Sequence, residues 1–270
     1  MTLPDLSLPE RLLLLGADFT RHHDALTLIS TTHKAPETRA AADHIPVTQA
    51  LARGVLDARD AIRTAPRLYH SPDVRRAIDR MTQLATLTVI AADHLIDAVD
   101  LLSNAVFRQP GPGPATSPLG TETAKAAQHI RLTDELTSLG AEDCLAAVGV
   151  LARELHQQHP GIFPLSPALS PAQHMALEAV AAGWVALDQR RDKALVERDT
   201  GRIAITTIRS LESRGLVGRE PCPLWLRDER LHLTAGGRRA LAAALARPRS
   251  TPPAAIRPTA RPTATHVATR

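Results

Sequence analysis

Histidine and aspartate recur side by side in the first hundred residues of this chain. They occur as His22-His23-Asp24, as Asp43-His44 within residues 41–45 and as Asp93-His94 within residues 91–95. Neutral imidazoles and carboxylates are the ligands that zinc, iron and manganese accept, and helical phosphohydrolases draw them from several helices of one bundle. The spacing argues against that chemistry here. The His-Asp type needs a further ligand histidine on an earlier helix, and no histidine precedes His22. His94, Asp97 and Asp100 are spaced so that at most two share a helical face. The doubled Ala-Ala-Asp-His is short enough to arise by chance in an Ala-rich chain. His156 and His159 lie beside Pro160 at a helix end, where solvated caps are common. The sequence holds no GxxxxGK[ST] phosphate loop, GxSxG elbow or GxGxxG fingerprint. Cys144 falls on an apolar helical face, as a small core residue would. The expectation is no metal, no cofactor and no enzyme activity.

A second group of residues has the chemistry of nucleic-acid reading. Residues 205–219 read ITTIRSLESRGLVGR. At about 100° per residue, Ile205, Ile208 and Leu211 share one face, with Ala204 beside them. The opposite face carries Thr206, Ser210 and Ser213, flanked by Thr207, Arg209 and Arg214, and it holds no acid, since Glu212 falls toward the inner side. Short hydroxyl side chains allow close approach to base edges, and arginine reads guanine or grips phosphate. An ordinary solvated helix carries Glu and Lys outward, and this one has neither there. Gly215 suits the left-handed conformation that ends a helix and turns Leu216 inward. Residues 216–220 and 230–234 then alternate as a β-hairpin around a Pro-bearing connection. That wing holds Arg219, Arg227 and Arg230 about an apolar tip, Leu224-Trp225-Leu226. Arginines so placed suit phosphate or minor-groove contacts.

These residues resemble the multiple-antibiotic-resistance (MarR) and PadR-type regulators over residues 168–247. The resemblance rests on Leu211-Glu212-Ser213-Arg214-Gly215-Leu216-Val217 followed at short range by Leu233-Thr234-Ala235-Gly236-Gly237. It implies a winged helix-turn-helix fold, with 205–214 as the recognition helix. Thr206, Thr207, Arg209, Ser210, Ser213, Arg214, Arg219, Arg227 and Arg230 are then the expected DNA contacts. The segment before this helix departs from the pattern, because Asp199-Thr200-Gly201-Arg202 makes a loose turn. We read 184–187 as extended and about 190–198 as a short helix, with a hairpin from 185–187 to 194–197 as the other reading.

The elements that must position these groups are mostly helical. Aromatics make up 2% of the 270 residues and the apolar fraction is 44%, dominated by Ala and Leu, which favours helices meeting through small side chains. A first helix opens at Ser7 with Glu10 at the capping-box position and runs to about Ser30. A second, about 36–64, contains Pro46, which should kink or split it. The third, 71–107, carries Val74, Ile78, Met81, Leu84, Ala85, Val89, Ala92, Leu95, Ile96, Val99 and Leu102 at three- and four-residue steps. Only a partner helix, in the same or another chain, would bury that stripe, which makes 71–107 a candidate dimer interface. Residues 108–118 read as a loop, and a fourth helical stretch, about 119–158, breaks near Gly140. A Pro-rich break at 159–171 precedes a capped start at Ser170.

The fold expected is mainly α: a helical bundle over 1–160 for dimerisation or effector sensing, the winged helix over 168–247, and a disordered basic tail over 248–270. Charge follows that division. Residues 1–165 hold 15 Lys and Arg against 19 Asp and Glu, residues 166–247 hold 13 against 9, and the tail holds four Arg and no acid. A basic back half points to a polyanion partner. Two distant cysteines signal neither disulfide nor zinc knuckle, and a reducing cytoplasm is the simplest location. The first residues make a poor signal peptide, and Asp93, Asp97 and Asp100 interrupt the longest apolar helix, so no membrane span is expected. The expected function is sequence-specific binding of double-stranded DNA by a homodimeric transcriptional regulator, with room for a small-molecule effector. The reading from another class is a helical interaction or assembly protein whose winged helix binds protein.

Overall fold

The computed structural model describes residues 6–31, 37–66, 68–107, 118–163, 168–188, 193–196, 203–222 and 229–247. The expected disordered tail, the turn at 199–202 and the wing tip with Arg227 lie outside the described residues. The chain is mainly α-helical with one small antiparallel sheet.

Five helices form the front: α1 (Leu8–Thr31), α2 (Thr38–Thr64), α3 (Pro72–Phe107), α4 (Pro118–Thr137) and α5 (Gly140–Gln158). Their starts follow local chemistry. The Glu10 carboxylate accepts from both the backbone N–H and the hydroxyl of Ser7, and the Ser71 hydroxyl accepts from the Val74 N–H at 3.3 Å. Helix α2 continues through Pro46 without splitting. The chain breaks just before Gly140, the first residue of α5, where a Cβ would overlap the ring of Phe19.

The apolar stripe of α3 is buried inside the chain. Val74, Ala77, Met81, Leu84, Ala85, Leu95, Ala98 and Leu102 are covered by α2, α4 and α5. Val89 and Ile96, expected in that stripe, point outward and are 47% and 39% exposed. The stripe therefore needs no second chain to cover it.

The back of the chain runs α6 (Pro171–Ala181), β1 (Val185–Asp188), β2 (Lys193–Val196), α7 (Ile205–Ser213), β3 (Val217–Pro221), β4 (Glu229–Leu233) and α8 (Ala235–Leu245). Ser170 and Gln173 cap α6 reciprocally, and Gly183 follows it with φ of 77°. A Cβ on Gly183 would overlap Thr20 of α1. The sheet order is β2-β1-β4-β3, all antiparallel, with Ala186 opposite Arg230 and Val217 opposite Leu233. The short helix expected over about 190–198 is corrected by β2, which occupies residues 193–196 and pairs with β1, Ala186 facing Leu195. In so short a segment the periodicity fits either state, and pairing with an available sheet edge decides it.

One buried apolar cluster joins the two halves. It includes Leu12, Phe19, Met81 and Leu151 from the front and Leu177, Ile208, Leu211, Leu231 and Leu241 from the back. A smaller cluster of Leu26, Ala41, Leu95, Ala98, Leu102, Ala126 and Ile130 fills the seam between α1, α2, α3 and α4.

Candidate nucleic-acid interface

Helix α7 is fixed from behind and at its C-terminal end. Ile208 and Leu211 are fully buried against the core, as their spacing requires. Its N-terminal flank at Ala204 offers no side-chain cap. Its C-terminus closes through Gly215, whose φ of 65° lets Leu216 donate back to the Leu211 carbonyl at 3.0 Å. The two halves of the sequence pattern then meet in space. Thr234 donates from its hydroxyl to the Gly215 carbonyl at 2.6 Å and from its backbone to the Leu216 carbonyl at 3.1 Å. The same hydroxyl accepts from the Gly237 N–H at 3.0 Å, capping α8. A Cβ on Gly237 would overlap the Leu216 carbonyl oxygen, so any other residue here forces the backbone to shift.

The outward face of α7 is made of Thr206, Arg209 and Ser213, all exposed. Thr207, Ser210 and Arg214 lie at its margins, half-buried. Two of these margin residues are held by α6. Gln173 donates to the Ser210 hydroxyl at 3.0 Å and accepts from Arg214 at 2.9 Å, and Arg214 also reaches the Ala168 carbonyl. A single amide thus sets α7 against the start of α6.

The wing arginines divide. Arg219 is exposed but paired on both sides, at 2.5 Å to Glu212 and 3.0 Å to Glu229. The Glu212 hydrogen bond is the main reason its proton is held more tightly than usual, ahead of Glu229. Glu212 therefore turns off the outer face of α7 to meet the wing. Arg227 lies outside the described residues. Arg230 corrects the sequence reading: it is 2% exposed and bound within the protein, so it does not belong to a DNA-facing surface. Its guanidinium donates to both carboxylate oxygens of Asp24 on α1 and to the Gly183 carbonyl. The alternation of β4 is the cause. Leu231 and Leu233 face the core cluster, so Arg230 and His232 face the other side of the sheet, where α1 lies. Arg21 on α1 pairs with Glu220 of β3 across the same seam at 3.0 Å. A cavity of about 40 Å³ lined by Leu13, Thr20, Arg230 and His232 remains there.

Asp24, weighed by sequence as a metal partner of His22 and His23, is therefore a structural counter-ion. A buried acid on the face of α1 that also carries Leu13 and Thr20 signals a buried cation elsewhere, though not which one. His22 and His44 do come together, with ring centroids 5.7 Å apart. Thr48 donates its proton to the His44 carbonyl, so its oxygen accepts from His22 Nε2 at 3.1 Å. His22 Nδ1 then has no hydrogen-bond partner. Burial first, and the nearby His44 and His23 second, push the His22 pKa down to about 4. A buried neutral histidine fits core packing.

His94 and Asp97 of α3 are joined by His129 of α4. The facing Nδ1 atoms of His94 and His129 are 3.1 Å apart, and Asp97 Oδ2 is 3.7 Å from His129 Nδ1. Sequence reasoning limited one helix face to two ligands and missed the third, which a different helix supplies. Among the described residues this is the group that could hold a metal ion. No family model matches the chain, and no curated protein and no solved structure matches it.

Proposed function

We propose that this chain binds double-stranded DNA sequence-specifically through α7 and the β3–β4 wing, as a transcriptional regulator. The observation that supports the reading most is the outward face of α7. Thr206, Arg209 and Ser213 form an exposed surface of hydroxyls and one guanidinium, without an acid, immediately before a β-hairpin. Such a face suits the major groove, where arginine pairs with guanine and small side chains permit close approach. The order α6, β1, β2, α7, β3, β4, α8, with β1 paired to β4, supports the reading except at β2, which stands where a winged helix would carry a further helix. In this reading the front helices serve dimerisation or effector sensing, and a symmetric pair would set two α7 helices on half-sites about 34 Å apart.

The test is a mobility-shift titration against random-sequence and genomic DNA at two salt concentrations. Affinity should fall steeply with salt, since phosphate contacts release counterions. Arg209→Ala should weaken specific binding by about 1–3 kcal/mol and relax preference at one base position. Unchanged affinity in that variant removes α7 as the reading element.

One observation favours a protein-binding role for the same module. Arg214, Arg219 and Arg230 are committed to partners within the chain, and a hairpin stands where a docking helix was expected. Salt-independent capture of a protein partner, with no DNA shift, would select that reading.

A further inference from the structure

We propose that His94, Asp97 and His129 form a binding site for one divalent transition-metal ion of the zinc type, in the seam between α3 and α4. The proposal does not rest on DNA binding. His94 and Asp97 stand one turn apart on α3 and share a face, and His129 projects toward them from α4. The seam that places them is well fixed. Thr133, one turn beyond His129, is buried and donates to the Ala91 carbonyl of α3 at 3.1 Å. Leu95, Ala98, Ala126 and Ile130 pack directly beneath.

Two neutral imidazoles can share one N–H···N hydrogen bond at 3.1 Å. That accounts for the two histidines, while Asp97, at 3.7 Å from His129, lies past hydrogen-bonding range and within ion-pair distance only. A cation at the centre explains all three. Metal bonds of about 2.1 Å meeting at the tetrahedral angle set ligand atoms about 3.4 Å apart. The observed separations of 3.1 and 3.7 Å bracket that value, and all three ligand atoms lie within 4.8 Å of one another. Imidazole nitrogens with one carboxylate favour zinc, cobalt, nickel or iron over magnesium and calcium, which take oxygen ligands. Asp97, 59% exposed, leaves the remaining coordination positions open to solvent. A bound ion would pin α3 to α4 over an apolar floor.

The experiment uses the full chain without a histidine tag. Zn(II) is titrated in competition with a chromophoric chelator, and Co(II) binding is followed by its visible ligand-field absorption. One equivalent per chain is expected. His94→Gln and His129→Gln should each weaken Zn(II) binding more than about tenfold, with helical content by circular dichroism unchanged. Asp97→Asn, at an exposed position that leaves packing intact, should weaken it as well and change the Co(II) spectrum. The proposal is overturned if the native chain binds neither ion stoichiometrically. It is equally overturned if stoichiometric binding persists unchanged in Asp97→Asn and in either histidine variant, which would assign the ion to another site.

Discussion

At the residue scale, the chain is marked by charged and titratable groups that it buries. Asp24 and Arg230 lie 206 positions apart and are both almost fully excluded from water. Desolvating two charges is costly, and the bidentate geometry plus the Gly183 carbonyl offsets that cost. Removing one partner leaves the other charge buried alone. Asp24→Ala or Arg230→Ala should therefore cost about 3–5 kcal/mol in urea unfolding, and Asp24→Leu with Arg230→Met should recover much of it. A loss below about 1 kcal/mol in either single variant would show that the pair is open to water. His22 gives a pH dependence of opposite origin. Its neutral form is favoured in the folded chain, with a pKa of about 4 against 6.5 when exposed. Its contribution is fully present above pH 6.5 and is lost as pH falls from there to about 4, by about 3 kcal/mol in total. The stability curves of wild type and His22→Gln should converge through that window. Parallel curves would show that His22 is not the titrating group.

At the element scale, what was legible in the sequence was what local chemistry decides. The starts of α1, α3 and α6 follow from Ser7, Ser71 and Ser170, and the inner face of α7 follows from the spacing of Ile208 and Leu211. What was not legible depends on partners distant in sequence. Strand β2 exists because β1 offers it an edge, and Arg230 turns inward because α1 brings Asp24 to it. The outward turn of Val89 and Ile96 reflects where α2 and α4 sit around α3, which a stripe of apolar positions does not specify. The glycine pair in the first turn of α8 tests this division closely. Inside a helix, Gly→Ala ordinarily stabilises by up to about 1 kcal/mol. A Cβ on Gly236 would lie 3.4 Å from the Gly215 carbonyl, so Gly236→Ala should be neutral or stabilising. A Cβ on Gly237 meets the Leu216 carbonyl, so Gly237→Ala should destabilise by about 1–3 kcal/mol and loosen the wing. Thermal melts that rank the two variants in the reverse order would rule out the contact between α8 and the turn after α7.

At the scale of the whole molecule, the question is whether the front helices and the back half, α6 to α8, behave as one folding unit. The Pro-rich stretch between them reads as a boundary, yet the core does not stop there. Helices α1 and α5 both pack on α6 and α8, and one apolar cluster runs from Leu12 to Leu241. The Trp184 indole donates to Glu142 of α5 at 3.3 Å, and the Asp24–Arg230 pair ties α1 to β4. Severing that interface would expose apolar side chains of the shared cluster and separate Asp24 from Arg230. The cost exceeds what either half could recover by fraying alone, so unfolding should be a single cooperative transition. The check uses Trp225→Phe, which leaves Trp184 as the fluorescent reporter of the interface. Its emission and the far-UV circular dichroism of the helices should trace one urea midpoint, and residues 168–247 expressed alone should lack a cooperative transition. A Trp184 transition that precedes the loss of helix would mean that the halves separate before they unfold. The back half would then be a module that the front helices carry, rather than one they help to build.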